Sequence, residues 1–124
     1  MALHTATEIY GTCFDLLGVA GDAILNMRRD AKQIFGGKII DACIELDLHI
    51  RKANMAEDKE PHLLLLLERL EVIELLSRHC RDRAYMSIGH YAKMITHTQS
   101  MGKQANGWRK SGTSGTQQRL PLDR

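Results

Sequence analysis

Apolar residues recur along most of the chain at intervals of three and four positions, the spacing that places them on one face of an α-helix. The first helix is predicted to begin at Thr5, where Glu8 completes a capping box three residues later. Asp30 and Gln33 repeat that cap, so a second helix is predicted after a tight joint at Arg28-Arg29. The apolar stripes of these two helices are Ile9, Cys13, Leu16, Ala20, Ile24 and Met27, and then Phe35, Ile39, Ala42, Leu46, Ile50 and Ala53.

Two adjacent glycines, Gly36 and Gly37, fall in the first turns of the second helix. Each costs roughly 1 kcal/mol relative to alanine in a helix interior. The pair therefore predicts either a close helix crossing or a kink at this point.

The second half of the chain predicts two more helices. Pro61 suits the first position of the third helix, Glu74 and Arg78 are spaced for an i,i+4 ion pair within it, and Ser87 suits the cap of the fourth. Residues 111–124 are rich in Gly, Ser, Thr and Gln without an apolar period, which predicts a flexible polar tail. The stripes are Leu63, Leu66, Leu67, Leu70, Ile73, Leu76 and Cys80, and then Ile88, Tyr91, Ile95, Thr98, Gly102, Ala105 and Trp108.

Four helices joined by short loops predict an all-α fold, an up-down-up-down four-helix bundle over residues 1–110. A monomeric bundle needs only one apolar stripe per helix, yet the second and third helices carry surplus apolar residues. The surplus is either scattered surface residues or a subunit interface, and we favour the interface. Its predicted residues are Ile40, Ile44, Leu48 and Leu65.

Composition narrows the class of protein. The chain has 124 residues, of which 44% are hydrophobic and 26% charged, as in a single globular domain. The longest aliphatic run, Leu63 to Leu67, is far shorter than the ~20 residues of a membrane span, and no secretory signal pattern is present. The widely spaced Cys13, Cys43 and Cys80 predict buried, reduced thiols in a cytoplasmic protein.

Patterns that indicate catalysis are scarce in the sequence. It has no phosphate-binding glycine loop, nucleophile elbow or metalloprotease motif, and no Glu-x-x-His repeat of a di-iron bundle. His90 and His97 share a polar helix face, which is typical of a solvated surface. The chain is therefore predicted not to be an enzyme and to hold neither a cofactor nor a metal.

Basic residues concentrate at two joints, although the formal net charge is only +2. In an up-down bundle the joint between helices one and two lies at the same end as the joint between helices three and four. A cluster, here called the basic end, is therefore predicted from Arg28, Arg29, Lys32, Arg78, Arg81 and Arg83. A second group of candidate nucleic-acid-binding residues follows in and after the fourth helix: Lys93, Lys103, Arg109 and Lys110.

Such a cluster predicts contacts with nucleic-acid phosphates and a strong dependence on salt. The alternative is a solvated end that only aids solubility. The sequence shows no aromatic stacking platform beside these cations, so sequence-specific reading of a single strand is not predicted.

Two segments carry a resemblance to a known family. The joint Arg28-Arg29-Asp30-Ala31-Lys32, followed by Gly36 and Ile39, resembles the stretch after the first helix of the accessory variability determinant (Avd-like) proteins. The segment 101–110, MGKQANGWRK, is similar to the closing motif of that family. The resemblance covers about residues 8–110.

Avd-like proteins are small four-helix bundles encoded beside the reverse transcriptase of diversity-generating retroelements. The resemblance implies a non-catalytic accessory protein, a ring-shaped homo-oligomer that is a homopentamer in the family. Its implied partners are the reverse transcriptase, template RNA and cDNA, and its implied role is to support mutagenic reverse transcription. A helix-bundle protein-protein adaptor without nucleic-acid binding is the alternative, and a bundle that binds a metal or small ligand stays open.

Overall fold

The computed structural model describes the backbone of residues 2–119 and the side chains of residues 6–111. This part of the chain forms four helices and no strand. The second helix is continuous but has three segments, of which the middle one is a π-helical turn. The helices are α1 (Ala2–Leu25), α2 (Arg29–Ala31, the π turn Lys32–Gly36, and Gly37–Met55), α3 (Glu60–Asp82) and α4 (Ile88–Arg119).

The four helices form a bundle in which sequential neighbours run antiparallel. Helix α1 packs against α2 and α4, and α3 packs against the same two helices. Between α3 and α4, Glu60 pairs with Arg109, and Thr98 donates a hydrogen bond to Glu74 farther along. The predicted all-helical bundle is confirmed.

A single apolar core lies between the helices. The stripes predicted for α1, α2 and α3 are largely buried in it. The largest fully buried apolar side chains are Ile9, Leu16, Ile39, Leu46, Ile50, Leu63, Leu66, Ile73, Met94 and Met101.

The predicted stripe of α4 is wrong in its first half. Met94 and Met101 are fully buried, whereas Ile88 is 78% exposed and Ile95 is only half-buried. Both choices of stripe satisfy helical spacing and share Thr98, so the periodicity does not separate them. The unbranched methionine side chain fills irregular gaps between helices, and packing selects it here.

Of the four predicted helix starts, those of α3 and α4 agree with the structure and those of α1 and α2 do not. Pro61 is the second residue of α3, and the Ser87 hydroxyl accepts a hydrogen bond from the His90 amide at 3.0 Å, which caps α4. Helix α1, however, begins at Ala2 rather than at Thr5, whose side chain lies outside the described residues. Helix α2 begins at Arg29, before the predicted cap Asp30, and its N-cap residue Arg28 makes no side-chain cap hydrogen bond.

The backbone of α4 continues to Arg119, so it is helical over 111–119, where the sequence predicts a flexible tail. Residues 120–124 of that predicted tail lie outside the described part of the chain. Among the helices that the structure describes, none is long and apolar enough to cross a membrane.

The π turn accounts for the first glycine of the pair, Gly36, whereas Gly37 is exposed. Ala31 and Gly36 are both buried and lie five residues apart, the spacing of a π turn rather than of an α-helix. A Cβ at Gly36 would come within 2.9 Å of Ile24 Cγ2, so α1 and α2 approach closely there. The predicted close crossing is found, and the turn leaves Phe35 only half-buried at the end of the bundle.

Candidate nucleic-acid interface

The two basic joints meet at one end of the bundle. The ring of Phe35, in the π turn of α2, lies 5.4 Å from the ring of His79 on α3. It also lies 5.8 Å from the ring of Tyr85, in the joint between α3 and α4. The Arg28 guanidinium, from the joint between α1 and α2, lies 5.4 Å from the centre of the Tyr85 ring. The fold therefore brings the two joints of the basic end together.

Two of the six cations of the basic end are paired with a neighbouring carboxylate. Arg28 donates two hydrogen bonds of 3.1 Å to Asp30, and these hold the pKa of Asp30 below its usual value. Arg81 donates to Asp82 at 2.6 Å and also lies 4.3 Å from the centre of the Tyr91 ring. These pairs orient the two guanidinium groups and reduce their net charge.

Lys32 has a structural contact of its own. Its Nζ lies 3.5 Å from the carbonyl oxygen of Leu25, the last residue of α1. A lysine in this position interacts favourably with the free carbonyls and the negative dipole at a helix C-terminus. Lys32 therefore helps to end α1 in addition to adding charge.

The other three cations, Arg29, Arg78 and Arg83, are exposed. Within the residues that the structure describes, none of them forms an ion pair. Arg78 lies on the flank of α3 in a shallow depression that also contains Glu68, Glu71 and Glu74. The predicted pair between Glu74 and Arg78 is not formed; the Glu74 carboxylate accepts a hydrogen bond of 2.7 Å from the buried Thr98 instead.

The second group of predicted cations does not form one cluster at the basic end, although Lys93 lies within two turns of the start of α4. The four residues are spread along α4: Lys93, Lys103, Arg109 and Lys110. Because an α-helix rises about 1.5 Å per residue, Arg109 and Lys110 lie roughly 30 Å from the start of α4. Arg109 is inside the helix rather than after it, and its guanidinium pairs with Glu60 at 2.8 Å at the opposite end of the bundle. In the same segment, Trp108 is 3% exposed and closes the core.

Three aromatic rings lie together beside one cation of the basic end, although the sequence shows no aromatic pattern there. Phe35, His79 and Tyr85, here called the aromatic cluster, come from three separate segments and meet beside Arg28. Phe35 and Tyr85 are half-buried and His79 is exposed. This cluster could not be predicted from the sequence, because its members are not related by any local spacing. They come together only when the two joints pack against each other in the fold.

Most of the predicted interface residues are exposed in the single chain. Ile44 and Leu48 on α2 and Leu65 on α3 are 46 to 48% exposed. Ile40 differs, because it packs partly against the chain's own core. Several other large apolar residues, not predicted from the sequence, are also exposed, among them Phe14, Leu25 and Met55. Together with Ile88 on α4, these residues place outward-facing apolar side chains on all four helices.

The thiols are buried and reduced, as predicted. Cys13, Cys43 and Cys80 are all free and buried. Burial raises the pKa of Cys13 to about 11 and that of Cys43 to about 12, so neither thiol is a nucleophile at neutral pH. Across the described residues, no three His, Cys, Asp or Glu side chains are grouped so that they could hold a metal ion.

No protein-family model, curated protein or solved structure matches this chain.

Proposed function

We propose that this protein binds the phosphates of RNA and cDNA through its basic end and serves as a non-catalytic accessory protein of a diversity-generating retroelement. The observation that supports nucleic-acid binding is the meeting of two cationic joints at one end of the bundle. Arg29 and Arg83 have no carboxylate partner among the described residues and are ready to contact phosphates. The retroelement role rests on the sequence resemblance.

In this proposal, the reverse transcriptase supplies the chemistry, and this protein holds the template RNA and cDNA in position. A homo-oligomeric ring, a pentamer by resemblance, would repeat the basic end around its axis. Repetition strengthens binding because each further contact becomes intramolecular once the first has formed. The exposed Ile44, Leu48 and Leu65 are the side chains we assign to the contact between copies.

Charge removal at the basic end tests the proposal. A structured RNA is titrated against the full chain at several salt concentrations, with Arg29→Gln/Arg83→Gln beside the wild type. Each phosphate contact contributes roughly 0.7 to 0.9 to the slope of log affinity against log salt, so the double variant should lower that slope by about 1.5. Its melting temperature should hardly change, because substitutions at exposed sites without partners usually cost under ~0.5 kcal/mol.

Arg51→Gln/Lys52→Gln is the matched control. It removes the same charge from exposed residues near the other end of the bundle, and it should leave the slope unchanged. Equal losses in the two double variants would show that RNA binds through general charge, and would contradict the assignment to the basic end.

A protein-protein adaptor is the second candidate function, and the exposed apolar side chains on all four helices favour it. An adaptor would show no salt-sensitive RNA binding at ~50 mM salt. It would instead hold a protein partner that is released by Leu48→Lys, a change on the outward face of α2. The RNA titration and this pull-down together separate the two functions.

A further inference from the structure

The aromatic cluster presents ring surfaces among the cations of the basic end. The rings of Phe35, His79 and Tyr85 lie side by side, with centroid distances of 5.4 and 5.8 Å. Their interplanar angles of 48° and 32° leave the rings tilted rather than stacked face to face. The core does not enclose any of the three.

One ring face of this cluster already holds a planar group. The Arg28 guanidinium lies 5.4 Å from the centre of the Tyr85 ring, and the Arg28 side chain is itself 67% exposed. The Asp30 carboxylate that holds this guanidinium is exposed as well, and an exposed ion pair of this kind contributes little stability, so Arg28 can leave the ring and turn to a phosphate. The face that it vacates is flat, apolar and reachable from outside, which is what a nucleobase needs in order to stack.

We infer that the aromatic cluster stacks an unpaired base, so that the basic end takes single-stranded nucleic acid in preference to a duplex. This inference rests on the proposed function and names the form of nucleic acid that the same site binds. Arg29 is the first residue of α2 and Arg83 directly follows the last residue of α3, so both cations belong to the two joints that carry the rings. The nucleic-acid phosphates on either side of the stacked base would contact these two cations.

A duplex cannot use the cluster in the same way. Its bases are already stacked and paired, and turning one outward costs free energy. The phosphates of a duplex would still meet the cations, so a duplex should bind through charge alone. The ring contribution is therefore specific to unpaired bases, whereas the charge contribution is common to both forms.

The experiment compares a single-stranded RNA with an RNA duplex of the same length by fluorescence anisotropy, using the full chain. Removing one stacking ring typically weakens single-strand binding by about 5- to 150-fold, and that is the expected effect of Tyr85→Leu. Duplex binding should not change. A 2-aminopurine in the single strand should be quenched by the wild type and less so by this variant.

Tyr10→Leu is the matched control. Tyr10 is another half-buried tyrosine under an arginine, with Arg51 lying 5.5 Å from its ring centre, but it is near the other end of the bundle. Its substitution should alter neither affinity. If Tyr85→Leu lowers the melting temperature, His79→Leu decides the question, because His79 is exposed and its loss leaves the core intact.

Two results would overturn the inference and are distinguishable from each other. If single strand and duplex bind equally well, or if Tyr85→Leu and His79→Leu keep the single-strand affinity, the basic end binds by charge alone. The stacking site is then rejected while the proposed function stands. If neither RNA binds at ~50 mM salt, where charge contacts are strong, both the stacking site and the proposed function fail.

Discussion

The substitution Gly36→Ala, which adds one methyl group, tests how closely α1 and α2 approach at the π turn. The new Cβ would lie 2.9 Å from Ile24 Cγ2, well inside the roughly 3.5–4.0 Å at which carbon atoms attract each other. Ile24 is 8% exposed, and its branch at Cβ leaves it one favoured rotamer in a helix. The clash therefore has to be relieved by a movement of the helices.

Two opposing terms set the size of the effect. Alanine is favoured over glycine in a helix by about 1 kcal/mol, whereas overpacking a core costs about 1–3 kcal/mol. The adjacent Gly37 has open space around its Cβ position, so Gly37→Ala should show only the favourable term. The two variants should thus differ by about 1–3 kcal/mol, or roughly 4–12 °C in melting temperature for a domain of this size.

Thermal and urea denaturation, followed by circular dichroism, give both differences. Ile24→Ala removes the opposing methyl group, so in that background Gly36→Ala should stabilise the fold, and a double-mutant cycle isolates this coupling. Equal rises in melting temperature for Gly36→Ala and Gly37→Ala would contradict this expectation. The close approach of α1 and α2 would then be absent.

Three further predictions concern pH, capping and thiol reactivity. The hydrogen bond from Arg109 holds the pKa of Glu60 below its usual value of 4.5, so this pair stabilises the fold above that pH and less as the pH falls through the folded-state pKa. In urea titrations the stability gap between wild type and Glu60→Gln should narrow between about pH 5 and pH 3, and a constant gap would contradict this. Ser87→Ala should lower the free energy of unfolding by about 1 kcal/mol through loss of the α4 cap, and no change would mean that the cap is not formed in solution. Cys13 and Cys43, with pKa values of about 11 and about 12, should resist iodoacetamide in the native protein and react in guanidinium, as read by mass spectrometry.

The features that the sequence predicts well are those that depend on residues near one another in the chain. Helical spacing places the buried stripes of α1, α2 and α3, because a helix repeats its faces every three to four residues. Pro61 and Ser87 mark helix starts, since each acts on backbone groups within its own first turn. The two basic joints lie at the same end of the bundle because the four helices run alternately up and down.

Other features depend on which residues meet across the bundle, and only the tertiary structure decides them. Met94 and Met101, rather than Ile95, enter the core because the neighbouring helices offer space of that shape. Arg109 turns to Glu60, which is far from it in the chain, and so it pairs at the opposite end.

The aromatic cluster shows the same division most clearly. The sequence alone determined an all-helical chain with two cationic joints, because periodicity and order along the chain suffice for that. It did not reveal that Phe35, His79 and Tyr85 would meet beside Arg28. The π turn, which leaves Phe35 at the rim, and the packing of one joint on the other are properties of the whole bundle, and no local pattern encodes them.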